Sequence, residues 1–275
     1  MSNFVIEGKF NSIVDSVCYW LGYQLKIGRE QLIHEASLRY PIADTITARG
    51  VYINRVVLEQ LHPLFKSKKI DLVIFDETVK VPADEEDDKK INEVFEFKIA
   101  NSKTAKLESD EHQRVFDDVT RLAYYSMWGK KDCYFLMCGK YEEFKAYFVG
   151  HNESVVKDID GKNKIVERKN SSKINIYGET DLIVELWISD GIYKNWFSFH
   201  PRESKTIIFE VNNSNDLSKW GLKSFQDRYQ LRDEKLSEFS FSDKIEIKTT
   251  CIAITPAGEK NKTHAAGIWK IEAKE

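Results

Sequence analysis

The chain has 275 residues, 42% of them hydrophobic and 12% aromatic, enough to bury a real core in one large domain or two modest ones. A formal net charge of −3 argues against a surface built for tight, non-specific binding to nucleic acid, although a local basic groove is compatible with it. No apolar run approaches a membrane span, and MSNFVIEGKFNS lacks the basic start and apolar stretch of a secretory signal, so the chain reads as cytoplasmic and free of membranes. The four cysteines (Cys18, Cys133, Cys138, Cys251) form no CxxC pair, which disfavours a zinc site or a disulfide framework. Asn152, Asn170, Asn212 and Asn261 head N-x-[ST] sequences that read as chance matches.

In chain order, Phe10, Ile13, Val14, Val17, Leu21 and Leu25 recur at helical spacing and predict an amphipathic helix over 8–25. REQLIHEASLRY (29–40) predicts a second helix that stops at Pro41, which can open a short further helix ended by Gly50. Part of VYINRVVLEQL (51–61) reads as a strand. IDLVIFD (70–76) is a short apolar run that suits a strand buried on both faces. The acidic run Asp84, Glu85, Glu86, Asp87, Asp88 lacks the spaced ligands and turn glycine of a calcium loop, and reads as a solvated loop. NEVFEFKIA (92–100) is a second strand, followed by a helix from about 108 to 129 and a strand at DCYFLMCG (132–139).

Strands alternating with long helices argue for an α/β (α+β) core over 1–150. From 151 to 275 the character changes to a β-rich C-terminal region suited to recognition or oligomerisation. TDLIVELWIS, NWFSFH, KTIIFEV, KIEIKTTCIAI and HAAGIWKIE read as strands there, with a helix near 216–238. The basic tract Lys162, Lys164, Arg168, Lys169, Lys173 is diluted by Glu167, Asp158 and Asp160. Trp187, Trp196, Trp220 and Trp269 read as core residues.

The chemistry concentrates in VFEFKIA. A strand there projects Phe95, Phe97 and Ile99 to one face, and Val94, Glu96, Lys98 and Ala100 to the other. Glu96 and Lys98 thus stand side by side among apolar neighbours, and Asp71 sits one residue into an apolar strand. Charges so placed are costly to bury unless they pair or bind a metal. Two carboxylates on adjacent strands can hold Mg²⁺, a hard cation that prefers oxygen ligands. A neighbouring lysine can orient an attacking water and offset transition-state charge.

This arrangement resembles the PD-(D/E)xK, or restriction-endonuclease-like, nuclease superfamily. The resemblance rests on Asp71 in KKIDLVIFD, Glu96-Phe97-Lys98, the following helix and DCYFLMCG, with Glu35 at the position of the helical glutamate found upstream in many members. It covers roughly residues 30–140. No proline precedes Asp71, and the Gln-x-x-x-Tyr of one branch is absent, since Asp117 stands four residues after Gln113.

The resemblance implies a mixed central sheet flanked by helices, dependence on Mg²⁺ with Mn²⁺ as substitute, and cleavage of nucleic acid, DNA before RNA. Asp71 and Glu96 would bind the metal with the carbonyl of Phe97 as a third ligand, Lys98 would position the nucleophile, and Glu35 would join the catalytic group. On the next helix Gln113 and Arg121 are candidate substrate contacts, although an Asp117–Arg121 pair on a solvated face is the plainer reading of Arg121. A catalytically inactive module of the same fold, binding nucleic acid or protein, is the alternative, and a homodimer stays open.

Overall fold

The structure, a computed structural model, describes residues 3–78, 90–100, 109–140, 144, 153–157, 163–167, 196–198, 200–211, 221–255 and 264–274. Its helices are α1 (Asn3–Lys26), α2 (Glu35–Ala48), α3 (Ser109–Gly129) and α4 (Leu222–Arg228). Its strands are β1 (Val56–Leu61), β2 (Lys69–Phe75), β3 (Ile91–Ala100), β4 (Asp132–Lys140), β5 (Glu153–Lys157), β6 (Asn163–Glu167), β7 (Ser204–Glu210), β8 (Lys244–Thr255) and β9 (His264–Lys274). Seven of them form one sheet in the order β1-β2-β3-β4-β9-β8-β7. Among the described strands only β3 and β4 pair in parallel, so the fold is mixed α+β with a mostly antiparallel sheet. Strands β5 and β6 form a separate ribbon.

Alternation along the strands decides the layering. Leu72 and Ile74 of β2, Phe95, Phe97 and Ile99 of β3, and Leu136 and Cys138 of β4 pack against Phe10, Ile13 and Val17 of α1 and Leu38 and Ile42 of α2. The intervening residues, among them Val73, Val94, Phe135 and Trp269, pack on the other face against Val115, Val119 and Leu122 of α3 and Phe225 of α4. Each large side chain fully buried in this way contributes about 1.5–3 kcal/mol. Strand β2, read as buried on both faces, is so over Leu72–Phe75, and β4, flanked by β3 and β9, lies at the middle of the sheet. Strands β7, β8 and β9, from the C-terminal half, lie in the same sheet as the four N-terminal strands.

Two sequence expectations are corrected. Residues 29–48 are not two helices meeting at Pro41: Glu30–Leu32 is a 3₁₀ turn, His34 is extended, and α2 runs unbroken through Pro41. Proline cannot donate to the carbonyl one turn back, but the apolar side of α2 (Leu38, Ile42, Ile46) is wholly buried and holds the helix together, and Thr45 Oγ1 donates to the Pro41 carbonyl at 2.7 Å. The helix near 216–238 shortens to Leu222–Arg228 plus a 3₁₀ turn at Asp233–Lys235. Between them the chain is extended, because Leu231 pairs with Phe65 and the Arg232 N–H donates to the Leu64 carbonyl. The acidic run 84–88, the strand expected at 180–189 with Trp187, Trp220, and Lys162, Arg168, Lys169 and Lys173 lie outside the described residues. Trp196 and Trp269 are core residues as read. No described helix is long and apolar enough to cross a membrane.

The turn before β2 is held by a buried histidine. His62 Nδ1 accepts from the Leu64 and Phe65 N–H groups at 3.1 and 3.3 Å, and its ring meets the edges of Phe65 and Tyr125. Burial, aided by Arg121 and Arg232, holds it well below the ordinary value of 6.5. Below that value the unfolded chain binds a proton that the folded protein refuses, so this group's contribution is present at neutral pH and lost as pH falls. Denaturant titrations of wild type and His62→Asn at pH 7 and pH 5 should show the wild type losing about 1–2 kcal/mol more than the variant on acidification. Equal losses in the two proteins would contradict a neutral buried His62.

Candidate active site

Strands β2 and β3 pair from Phe75–Ile91 as far as Leu72–Phe95. Beyond that point β2 continues along β1 through Gln60–Ile70 and Leu61–Lys69, while β3 continues along β4 from Glu96–Phe135 to Ala100–Gly139. The two strands part, and Asp71 stands at the fork. Its carboxylate takes over a ladder position that β2 backbone no longer fills, with Oδ2 accepting from the Phe97 N–H at 2.9 Å. The chain thereby satisfies a buried backbone donor that the fork would otherwise orphan.

On β3 the expected alternation holds: Phe97 enters the α1–α2 layer, while Glu96 and Lys98 are buried at the fork, 3% and 5% exposed. Their neighbours there are charged side chains. Lys98 Nζ lies 3.0 Å from Glu35 Oε1 at the start of α2 and 2.8 Å from Asp118 Oδ2 on α3. The other oxygen of Asp118 takes Arg121 Nη2, which also stands 3.1 Å from Glu96 Oε1. Arg39 of α2 donates to Asp71 Oδ1 through Nη2 at 2.7 Å and pairs with Glu59 through Nη1. Asp71 and Glu96 stand at the first positions past the last β2–β3 pair, Leu72–Phe95, and the Asp71 charge helps to raise Glu96. Asp71, Glu96, Lys98 and Glu35, drawn from three separate elements, therefore meet.

The helix that follows is arranged differently from the expectation. Arg121 does not pair with Asp117 on a solvated face; it is 8% exposed and pairs with Asp118 and Glu96. Asp118 and Arg121, three apart, lie on the side of α3 turned to the sheet. Asp117 turns instead towards the C-terminal end of α4, where Arg228 Nη2 and Tyr229 OH donate to it. Gln113 lies two turns before Arg121, partly exposed, and makes no described contact with the group. Asp118, Arg39 and Glu59 were missed from sequence. The signals available were the i, i+4 spacing of Glu35 and Arg39 and the i, i+3 spacing of Asp118 and Arg121, patterns that exposed helices also carry. Glu59 adopts a left-handed φ of 55° inside a strand, a strain of order 1 kcal/mol, and its carboxylate meets Arg39 and Lys69.

Electrostatics separate the roles of these groups. Burial works against the Lys98 ammonium, but Asp118 and Glu35 overcome it and hold Lys98 above the ordinary lysine range. Asp118 is likewise penalised by burial, and Lys98 and Arg121 bring it below the usual carboxylate range. Burial pushes Glu96 well up, Arg121 offsets only part of this, and Asp71 and Asp118 add repulsion. Glu35 is raised by burial, with Lys98 opposing. The site thus contains a buried ammonium and a buried guanidinium both held charged, one firmly ionised aspartate, and a buried glutamate whose charge Arg121 offsets only in part.

That shortage fits a divalent cation. Glu96 Oε1 is buried yet receives no hydrogen bond of good geometry, Arg121 supplying proximity alone. Beside it lies a second carboxylate, and oxygen donors are what Mg²⁺ takes, usually one or two carboxylates completed by water. Among the described residues no three His, Cys, Asp or Glu side chains form a metal cluster by themselves. No protein-family model, curated protein or solved structure matches the chain.

Proposed function

We propose that the protein is a divalent-metal-dependent nuclease of restriction-endonuclease-like architecture, hydrolysing phosphodiester bonds of nucleic acid, DNA before RNA. One observation carries the reading: Asp71 and Glu96 stand at the first positions past the last pair of two strands that part, with buried Lys98 on the same face of β3 as Glu96. Asp71 and Glu96 would hold Mg²⁺, with the Phe97 carbonyl as a further oxygen. Once bound, the ion polarises phosphoryl oxygens and acidifies water. Lys98, clamped between Asp118 and Glu35, acts as a fixed cation that orients the attacking water and offsets charge on the phosphoryl group. It does not shuttle protons, because both partners favour its charged form. Glu35, with its raised pKa and partly open side chain, takes the water proton. A bond forms from water oxygen to phosphorus, one ester P–O bond breaks, and the leaving oxygen gains a proton.

A second reading has support of its own. Arg39, Lys98 and Arg121 already pair with the four acids of the fork, an arrangement that also suits an inactive module binding nucleic acid or protein. Linear, circular and single-stranded DNA, and RNA, incubated with Mg²⁺, Mn²⁺ or EDTA, separate the two. The nuclease reading expects cleavage with either metal and none in EDTA or by Asp71→Ala. Intact substrates throughout, with a folded wild type, would leave the binding module.

A further inference from the structure

Beside the fork, α1, α2 and β1 border an open groove of about 680 Å³, within the range of ligand-binding clefts. Its walls combine two kinds of group. Trp20 and Tyr40 are aromatic, and Tyr40 is 69% exposed, so its ring is available to the groove. Arg29 and His34 line it from the connection between α1 and α2, and Arg39 lies at its junction with the fork, touching Asp71. Glu59, the acid of the lining, is already paired with Arg39 and Lys69. Arg29 and Arg39 against Glu59 leave the lining one positive charge in excess, with Arg29 on the exposed rim, on a chain whose overall charge is −3.

We propose that this groove takes a single-stranded segment of nucleic acid leading to the fork, with bases stacked on Tyr40 and Trp20 and Arg29 against the phosphate backbone. Aromatic rings interleaved with cations are the general means of holding single strands, because every unpaired base offers a face to stack on. A paired base offers only its edges in the grooves, so the aromatic walls select against duplex at this position. The inference rests on the nuclease reading and names its substrate as a single strand or a duplex with an unpaired end.

Fluorescence anisotropy of a labelled 12-nucleotide single strand and of its duplex, in EDTA so that nothing is cut, tests the groove directly. The double variant Arg29→Ala, Tyr40→Ala should bind the single strand roughly five- to 150-fold more weakly than wild type, with duplex binding unchanged. Both side chains are exposed, and circular dichroism and melting temperature should match wild type. Single-strand binding that survives in the double variant, or a wild type that prefers duplex or binds no oligonucleotide, overturns the proposal. Wild-type cleavage in Mg²⁺ with unaltered KM in the double variant overturns the groove and leaves the nuclease standing. Groove-dependent binding without cleavage in any metal supports the groove and removes the nuclease.

Discussion

Replacing Lys98 by methionine is expected to lower phosphodiester cleavage by about 100- to 1,000-fold while the protein stays folded. Methionine keeps the stem that passes between β3 and α3 and removes only the ammonium. Asp118 then retains Arg121, and Glu35, whose side chain is 42% exposed, can be solvated or protonated. Losing one partner of a buried network still costs stability, about 1–3 kcal/mol here because the stranded carboxylates have other recourse. Single-turnover cleavage at saturating protein, with denaturant melts of both proteins, gives the answer. A folded Lys98→Met protein that cleaves at the wild-type rate would remove Lys98 from the chemistry, whatever the two carboxylates do.

Glu96→Gln should abolish cleavage and the response to metal together without harming the metal-free fold. In wild type the folded state keeps a proton on Glu96 at pH values where the unfolded chain, near 4.5, has lost it. The unfolded state therefore binds fewer protons in that window, and this carboxyl makes the folded protein less stable as pH rises. Glutamine removes the liability, and the variant in EDTA at neutral pH should be as stable as wild type or up to about 2 kcal/mol more so. With Mg²⁺ at ten times its dissociation constant, wild type should gain about 1.4 kcal/mol, some 3–6 °C in Tm, and Glu96→Gln nothing. Identical Mg²⁺ shifts in the two proteins would place the metal elsewhere.

The strands β2, β3 and β4 and the places of Glu96 and Lys98 were legible in the sequence, for a reason particular to β3, while Asp118 and Glu59 were not. Period-two alternation in VFEFKIA sets Glu96 and Lys98 on a face that is otherwise apolar, and a strand cannot rotate one residue without moving the others. Asp71 was legible as an anomaly in an apolar run, but its job at the fork depends on where β2 stops pairing, which no local pattern encodes. Arg121 was seen and mispaired. Helical spacing favours Asp117 and Asp118 almost equally, and the choice is made by Arg228 and Tyr229, more than a hundred residues away, which draw Asp117 to themselves. The order of the C-terminal strands was illegible for the same reason: each reads as a strand, but which one lies beside β4 is a matter of long-range packing.

The place of β9 next to β4 has a consequence for how the protein comes into being. Strand β4 waits for a neighbour more than 120 residues downstream, and the braces on Asp117 come from residues 228 and 229. During synthesis the fork, its lysine and both carboxylates leave the ribosome long before the strands and side chains that fix the helix opposite them. A nascent or prematurely ended chain holding every residue of the site would expose the open edge of β4, a template for pairing with other chains, and would lack strand β9, on which α3 with Asp118 packs. On the proposed function, a chain ended before β9 should therefore hold all the site's residues and still fail to cleave.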